Sequence, residues 1–355
     1  FNKIYQEDFM NDLLTAKTIS SLACTKKSTI VHQPDFVNDA YIHLLRNSCH
    51  LKRIYQINPY VEVYQLRKNL YCLYTENCDA GGAVYMHLII GPKRALLIDT
   101  AYGLGNLPAL IDLLTGGKPL LVTNTHHHCD HAYGNCRFPQ VYCHKYDVPF
   151  LQAQDIHIWN YLFDDNGNGK WLDFDKNDLP SFKSYQIIPF ENGHIFDLGN
   201  GYKIEAVWLG GHTPGHCGYL DKQNRIFFSG DDITSNGCSA GMGPNPDETN
   251  EYAFRYMNLK SFHDALLPIA ARQNEFDFIF PQHGALELDS SLIPVLLNTC
   301  EEVINNPDDY HFSTSFPGLK GEPPVTCYNR HIPGLGVLCY RMNGIYPIKQ
   351  DTPTY

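Results

Sequence analysis

Apolar and polar positions change period several times along the chain. In DFMNDLLTAKTISSLA the apolar residues recur at helical spacing, and DAYIHLLRNS repeats it behind a cap at Asp35 or Asn38, so residues 1 to about 56 are predicted to be mostly helical. The period then shortens. VEVYQLRKNLYCLYTE, AVYMHLIIG and RALLIDT are β-branched or aromatic runs divided by Asn77, Gly81, Gly82, Gly91 and Pro92, which predicts a strand series. A helix through LPALIDLLTG, a buried strand in PLLVTNT and a helix starting near residue 130 follow. KIEAVWLGGHTPGH and RIFFSGDD are further apolar strands ending in polar turns. One long helix is predicted over EYAFRYMNLKSFHDALLPIAARQ, and a short strand in FDFIFPQHG. The last fifty residues predict isolated strands, PVTCYNR and LGVLCYRM, among turns.

The polar clusters fall repeatedly just behind apolar strands, where α/β proteins place their chemistry. The densest is THHHCDH, Thr125 to His131, with four histidines and one aspartate. Imidazoles so close together are unfavourable in a core unless something holds them. In an extended loop alternate residues face one side, so His126 and His128 converge while His127 points away. A turn into the next helix aims Asp130 and His131 at a neighbouring position. Imidazole nitrogen and carboxylate oxygen are both zinc ligands. GGHTPGH, FSGDD and FPQHG supply His212, Asp231 and His283, each at the end of an apolar strand.

Composition works mainly by exclusion. The 355 residues are 43% hydrophobic and 18% charged, an ordinary globular balance. A formal net charge of −11, with no lysine- or arginine-rich cluster, speaks against nucleic acid as a partner. No apolar run reaches about 18 residues, so no membrane span is expected. FNKIYQEDFMNDLL is too acidic for a secretory signal. Twelve cysteines without a CxxC pair are expected as reduced thiols, which makes the cytoplasm the expected compartment; a leader removed before Phe1 would direct the protein out of the cell instead.

LLIDT (Leu96 to Thr100), HHHCDH, GHTPGH, SGD and QHG stand here in the order of the metallo-β-lactamase superfamily, which the chain resembles over about residues 60–300. The stretch from SGD through a helix to HG looks most like the glyoxalase II and lactonase branches. The resemblance implies an α/β fold, an αββα sandwich over residues 57–304, with a helical extension over 1–56, an insertion at about 151–190 and an appended β segment over 305–355. It also implies one metal position of His126, His128 and His212, a second of Asp130, His131 and His283, and Asp231 bridging both. Asp99 would brace the metal loop, and His216 would hydrogen-bond rather than ligate. The implied cofactors are two divalent ions, zinc first, with iron and manganese as alternatives. The implied reaction is hydrolysis of an ester, lactone or thioester of a small molecule by a hydroxide bridging the ions and oriented by Asp130.

His212 follows His131 by 81 positions, a longer interval than in compact members of that family. The added length holds DIHIWNYLFDDNGNGKWLDFDKNDLPSF, and Trp159, Tyr161, Phe163 and Trp171 are expected to wall or cover the pocket. The alternative is a surface excursion that packs its tryptophans on the core. Within it, DDNGNGKWLDFD approaches a calcium loop through Asp164, Asn166, Asn168, Gly169 and Asp175, but the final Asp and the nearby Pro180 favour a simple Gly-Asn turn. Cys129 is expected to pack or to support the site. Thr234 stands where acyl-homoserine lactonases resemble one another in carrying a tyrosine, and no basic residue follows Asp231 before Arg255, unlike glyoxalase II. Hydrolysis of a β-lactam or phosphodiester is the alternative on the same site. The flavodiiron oxidoreductases are a more distant one, with a glutamate in place of His128 and a flavodoxin domain behind.

Overall fold

Alternation along the strands sorts their side chains onto two faces, and the layers follow from that sorting. In Ala95–Ile98, Leu96 and Ile98 point to one side and Ala95 and Leu97 to the other. The first pair, with Leu70 and Ile89, meets Ile204, Phe228 and Phe280 of a second sheet. The second pair joins Val63, Val84 and Met86 beneath the helix Leu107–Thr115, which contributes Leu107, Leu110 and Ile111. Each fully buried side chain of this kind contributes about 1.5–3 kcal/mol. The helix is bounded as its sequence asks: Asn106 accepts a hydrogen bond from the Ala109 amide, and Gly116 ends it in the left-handed conformation.

The computed structural model describes residues 29–30, 40–79, 82–245, 247–316 and 324–348. Its larger sheet has eight strands in the order Gln186–Phe190, Gln140–His144, Leu120–Thr123, Ala95–Ile98, Ala83–Ile90, Leu70–Glu76, Asn58–Arg67 and Lys52–Tyr55. The facing sheet has six, in the order Ile195–Gly199, Tyr202–Trp208, Cys217–Asp221, Ile226–Gly230, Phe278–Pro281 and Leu288–Asp289. The helices Leu259–Ala270 and Leu292–Asn305 cover its outer face through Phe262, Leu266, Ile293 and Leu296. The result is the expected αββα sandwich. Among the described residues no helix is long and apolar enough to cross a membrane.

Two features depart from the sequence reading. Lys52–Tyr55, inside the segment expected to be helical, is an edge strand paired with Asn58–Arg67; the helix of that segment is Ala40–Ser48. The helix expected over DFMNDLLTAKTISSLA, and the caps Asp35 and Asn38, lie outside the described residues. The single helix expected over 251–273 is two, Glu251–Tyr256 and Leu259–Ala270. Asn258 takes an extended φ of −154° and caps the second helix by accepting from the Ser261 amide, so the first cannot run through it. The C-terminal segment is β, as expected: Phe312–Phe316, Val325–Ile332 and Gly336–Tyr340 form a four-stranded sheet with Gly237–Gly241, a few residues behind Asp231 in the chain.

Candidate metal centre

All seven residues singled out as ligands meet at one edge of the sandwich, where strands of both sheets end. Thr123 ends one strand before the histidine loop, Gly230 ends another before Asp231, and Pro281 ends a third before His283. Gly230 has φ +63°, and a Cβ there would lie 2.3 Å from His216 Nε2, so the SGD turn requires glycine.

His128 Nδ1 lies 3.0 Å from both His126 Nε2 and His212 Nε2. A second group faces it: His283 Nε2 is 3.3 Å from His131 Nε2 and from Asp130 Oδ2, and His131 Nε2 is 3.4 Å from Asp130 Oδ1. Asp231 stands between the groups. Its Oδ2 is 3.8, 3.4, 3.6 and 3.3 Å from the Nε2 atoms of His126, His131, His212 and His283. Donor atoms around a tetrahedral zinc at about 2.0–2.1 Å are separated by about 3.3 Å, so these spacings suit a cation.

The surroundings fix which nitrogens carry lone pairs. Thr125 Oγ1 donates to Asp99 Oδ2 at 2.8 Å and therefore accepts from His126 Nδ1 at 3.0 Å, leaving Nε2 bare. His131 Nδ1 donates to Asp99 Oδ2 at 3.1 Å, which turns its Nε2 toward Asp130 and Asp231. Asp99 thus controls two rings, and its Oδ1 accepts the Thr125 amide at 2.7 Å. It is fully buried and holds φ +66°, a conformation that Asp tolerates better than most residues. Ser239 does the same for His212: its hydroxyl donates to the Asp231 carbonyl at 3.3 Å and accepts from His212 Nδ1 at 3.0 Å. His128 Nδ1 therefore faces two bare nitrogens at 3.0 Å and can donate to only one of them, an arrangement that a cation between the three would satisfy.

The acid–base balance points the same way. Burial, with neighbouring imidazoles, holds His126 and His128 well below the usual imidazole range, and burial lowers His212. Burial also opposes charge on His131 and His283, but the carboxylates prevail: Asp130, Asp231 and Asp99 raise His131, and Asp231 and Asp130 push His283 up to about 10. The carboxyls of Asp130 and Asp231 are held well below the carboxylate range, their burial outweighed by His131 and His283. The cluster therefore attracts positive charge. Asp231 Oδ1 is buried with no hydrogen-bond partner among the described residues, a position a metal ion would satisfy. The residues fit a divalent metal.

His127 points away, as alternation requires, and stacks on Phe150 with ring centroids 4.0 Å apart. His216 is no member of the cluster. Its Nε2 accepts the Asp231 amide at 3.0 Å, and its Nδ1 lies 2.7 Å from Asp232 Oδ2. The Asp231 amide needs a lone pair on Nε2, so the ring is held neutral although Asp232 favours its charge.

Several supporting residues escaped the sequence reading. Asp147, fully buried, accepts from the His127 amide at 2.9 Å, Thr213 Oγ1 at 3.0 Å and the Gly215 amide at 2.7 Å, joining the HHHCDH and GHTPGH loops. It too follows an apolar strand, Gln140–His144, so the rule that found the ligands could have found it. Asn77 Nδ2 donates to Asp130 Oδ2 at 2.9 Å, and Asp232 Oδ1 accepts the His212 amide at 3.2 Å.

The insertion residues divide. Trp159 is buried with Tyr102, Cys136 and Leu162, while Tyr161 is exposed, and Phe163 and Trp171 are half-buried at the cluster's margin. The Tyr161 and Tyr102 hydroxyls are 2.8 Å apart, and Tyr102 donates to Cys129 Sγ at 3.3 Å, one residue before Asp130. In DDNGNG, Asp164 Oδ1 accepts the Asn166 and Asn168 amides at 3.0 and 2.7 Å, a tight turn.

The family model described as the metallo-beta-lactamase superfamily matches residues 79–310. The chain belongs to this superfamily. Acyl-coenzyme A thioesterase MBLAC2 of Gallus gallus is 27% identical over 170 residues, covering 43% of this chain and 58% of its own. The human protein of that name is 25% identical over 173 residues, covering 43% and 59%. A hydroxyacylglutathione hydrolase of Synechococcus is 23% identical over 166 residues, covering 46% and 54%. The chain thus spans little more than half the length of these relatives. Among solved structures, a metallo-β-lactamase from Pontibacter korlensis covers 67% of this chain and 99% of its own, with 19% identity and a TM-score of 0.46.

Asp99→Asn keeps the shape of the brace but removes the carboxylate that fixes His126 and His131. It is expected to lower zinc affinity about 10–100-fold, measured by chelator competition. Unchanged affinity in the folded variant would show that the brace has no hold on the rings.

Proposed function

We propose that the protein hydrolyses a small-molecule thioester or ester, with lactones in the same range, at a pair of divalent ions, zinc first. The observation that carries this reading is Asp231 Oδ2, one carboxylate oxygen within 3.8 Å of the Nε2 atoms of four histidines. His126, His128 and His212 would hold one ion and Asp130, His131 and His283 the other, with Asp231 shared. When bound, such a pair supplies hydroxide at neutral pH and polarises the acceptor oxygen.

The chain's own groups do the rest. Asp130, steadied by Asn77, would orient the attacking water, which loses its proton as hydroxide forms. The water oxygen bonds to the carbonyl carbon, the bond from that carbon to sulfur or oxygen breaks, and the proton leaves with the thiol or alcohol. Cys129 serves packing rather than attack, since burial raises its thiol pKa and so disfavours the thiolate. Thioesters come first because the named activities of the relatives are hydrolysis of an acyl-coenzyme A and of a hydroxyacylglutathione. A small-molecule substrate also suits the absence of a basic cluster.

Tyr161 and Trp171, ring centroids 6.3 Å apart, offer an aromatic wall that the Tyr161–Tyr102–Cys129 chain ties to the metal loop. Trp159, Phe163 and Phe182 support that wall from behind. An apolar acyl group lying there would help to orient the carbonyl.

Asp231→Ala is expected to lower turnover of the best thioester by several orders of magnitude, about 10³-fold or more. Near-normal turnover in a variant loaded with both ions would overturn the shared-ligand role. The paired variant Tyr161→Ala/Trp171→Ala is expected to raise KM for long-chain acyl substrates about tenfold, the loss of roughly 1.4 kcal/mol of binding, with an acetyl substrate little affected and metal content constant. An equal effect on both substrates would make the insertion a surface excursion.

A further inference from the structure

The strand Gly237–Gly241 belongs to neither layer of the sandwich. It pairs in parallel with Gly336–Tyr340 of the C-terminal segment, with Gly237 opposite Val337, Cys238 opposite Leu338 and Gly241 opposite Tyr340. The register shifts between Cys238 and Gly241, the interval that holds Ser239. Irregularities of this kind re-aim a side chain, and they gather beside active sites. Here the side chain that turns inward is a hydroxyl, which reaches His212 Nδ1 at 3.0 Å and the Asp231 carbonyl at 3.3 Å.

The geometry points to Ser239 as a positioning residue that sets the tautomer of His212, and to the C-terminal segment as the part of the chain that holds it there. The carbonyl of Asp231 has no proton to give, so the hydroxyl donates to it and must accept from the ring. His212 therefore carries its proton on Nδ1, and Nε2 is left free toward His128 and Asp231. With no acceptor on Nδ1 the ring could place its proton on Nε2, which would block the ligand atom.

The strand is held from the C-terminal side along its whole length. Gly237 and Gly336 let the two backbones approach: a Cβ on Gly237 would lie 1.9 Å from the Val337 carbonyl oxygen, and one on Gly336 2.3 Å from the Asn236 oxygen. Cys238, Ala240, Leu338 and Tyr340 share the core beneath the outer helices. Beyond the strand, Arg341 donates to the Met242 carbonyl, to Gly243 O at 2.8 Å and to Pro244 O at 3.0 Å, while its own amide donates to Gly241 O at 2.9 Å. The segment 324–348 thus acts on the His212 side of the site without touching a ligand.

The part of this inference that concerns metal affinity rests on His212 being a ligand, as proposed above; the tautomer can be read without metal. In the metal-free protein labelled with 15N-histidine, at a pH where His212 is neutral, the wild type is expected to show the Nδ1–H form. Ser239→Ala is expected to shift the ring toward Nε2–H and to weaken cobalt binding about 10–100-fold, and Ser239→Thr, which keeps the hydroxyl, to restore both. Arg341→Gln, remote from every ligand, is expected to produce a smaller shift in the same direction. A wild type that takes up no cobalt would refute the metal reading and leave the tautomer result standing. A Ser239→Ala protein with the wild-type tautomer and affinity would overturn the inference, and an Arg341→Gln protein identical to wild type would remove the C-terminal segment from it.

Discussion

Four imidazole nitrogens are crowded around one carboxylate oxygen of Asp231, and the rest of the structure is arranged to keep them there. His126, His128 and His212 meet within hydrogen-bond distance, yet their outer protons are already committed where the surroundings can be read: to Thr125 for His126 and to Ser239 for His212. Desolvation keeps these three rings neutral, and His128 Nδ1 can donate to only one of the two bare nitrogens it faces. On the other side Asp130 and Asp231 draw positive charge onto His131 and His283. Such a cluster is unfavourable when empty of charge and favourable around a cation, and folding energy must hold it together in the meantime.

The sandwich provides that energy where it is needed. The apolar strands bury Leu96, Ile98, Phe228 and Phe280 between the sheets, and each of these strands then ends within a residue or two of a polar group at the same edge. Asp99 follows Ile98, Asp231 follows Gly230, and His283 follows shortly after Phe280, so one packed core sets all three. Asp147 ties the two histidine loops to each other, and the C-terminal sheet closes the remaining side through Ser239. Loosening any of these elements would shift one clustered residue relative to the others.

The seven clustered residues are legible in the sequence because each lies in a short motif behind an apolar run, and a strand end fixes the direction of the next few residues. Asp99 was legible for the same reason. Ser239 was not: SNGCSAGMG reads as turn, and it becomes a strand only because Gly237 and Gly336 let two distant backbones meet. Asp232 lay beside a stronger candidate and drew no notice. The break at Asn258 was missed because apolar periodicity continues across it while the cap does not. Lys52–Tyr55 falls in a segment whose pattern predicts helix, because so short an edge strand has no pattern of its own and borrows its structure from Asn58–Arg67. Local pattern reached the chemistry; pairing at long range reached its supports.

The claim on which the account rests is that one carboxylate serves two ions. X-ray diffraction from zinc-loaded crystals, with data on either side of the zinc absorption edge, locates each ion independently of the protein coordinates. The account predicts two anomalous peaks about 3.5–4 Å apart, one among His126, His128 and His212, the other among Asp130, His131 and His283, with Asp231 bound to both. A single peak at full loading, with Asp130 and His283 uncoordinated, would contradict it.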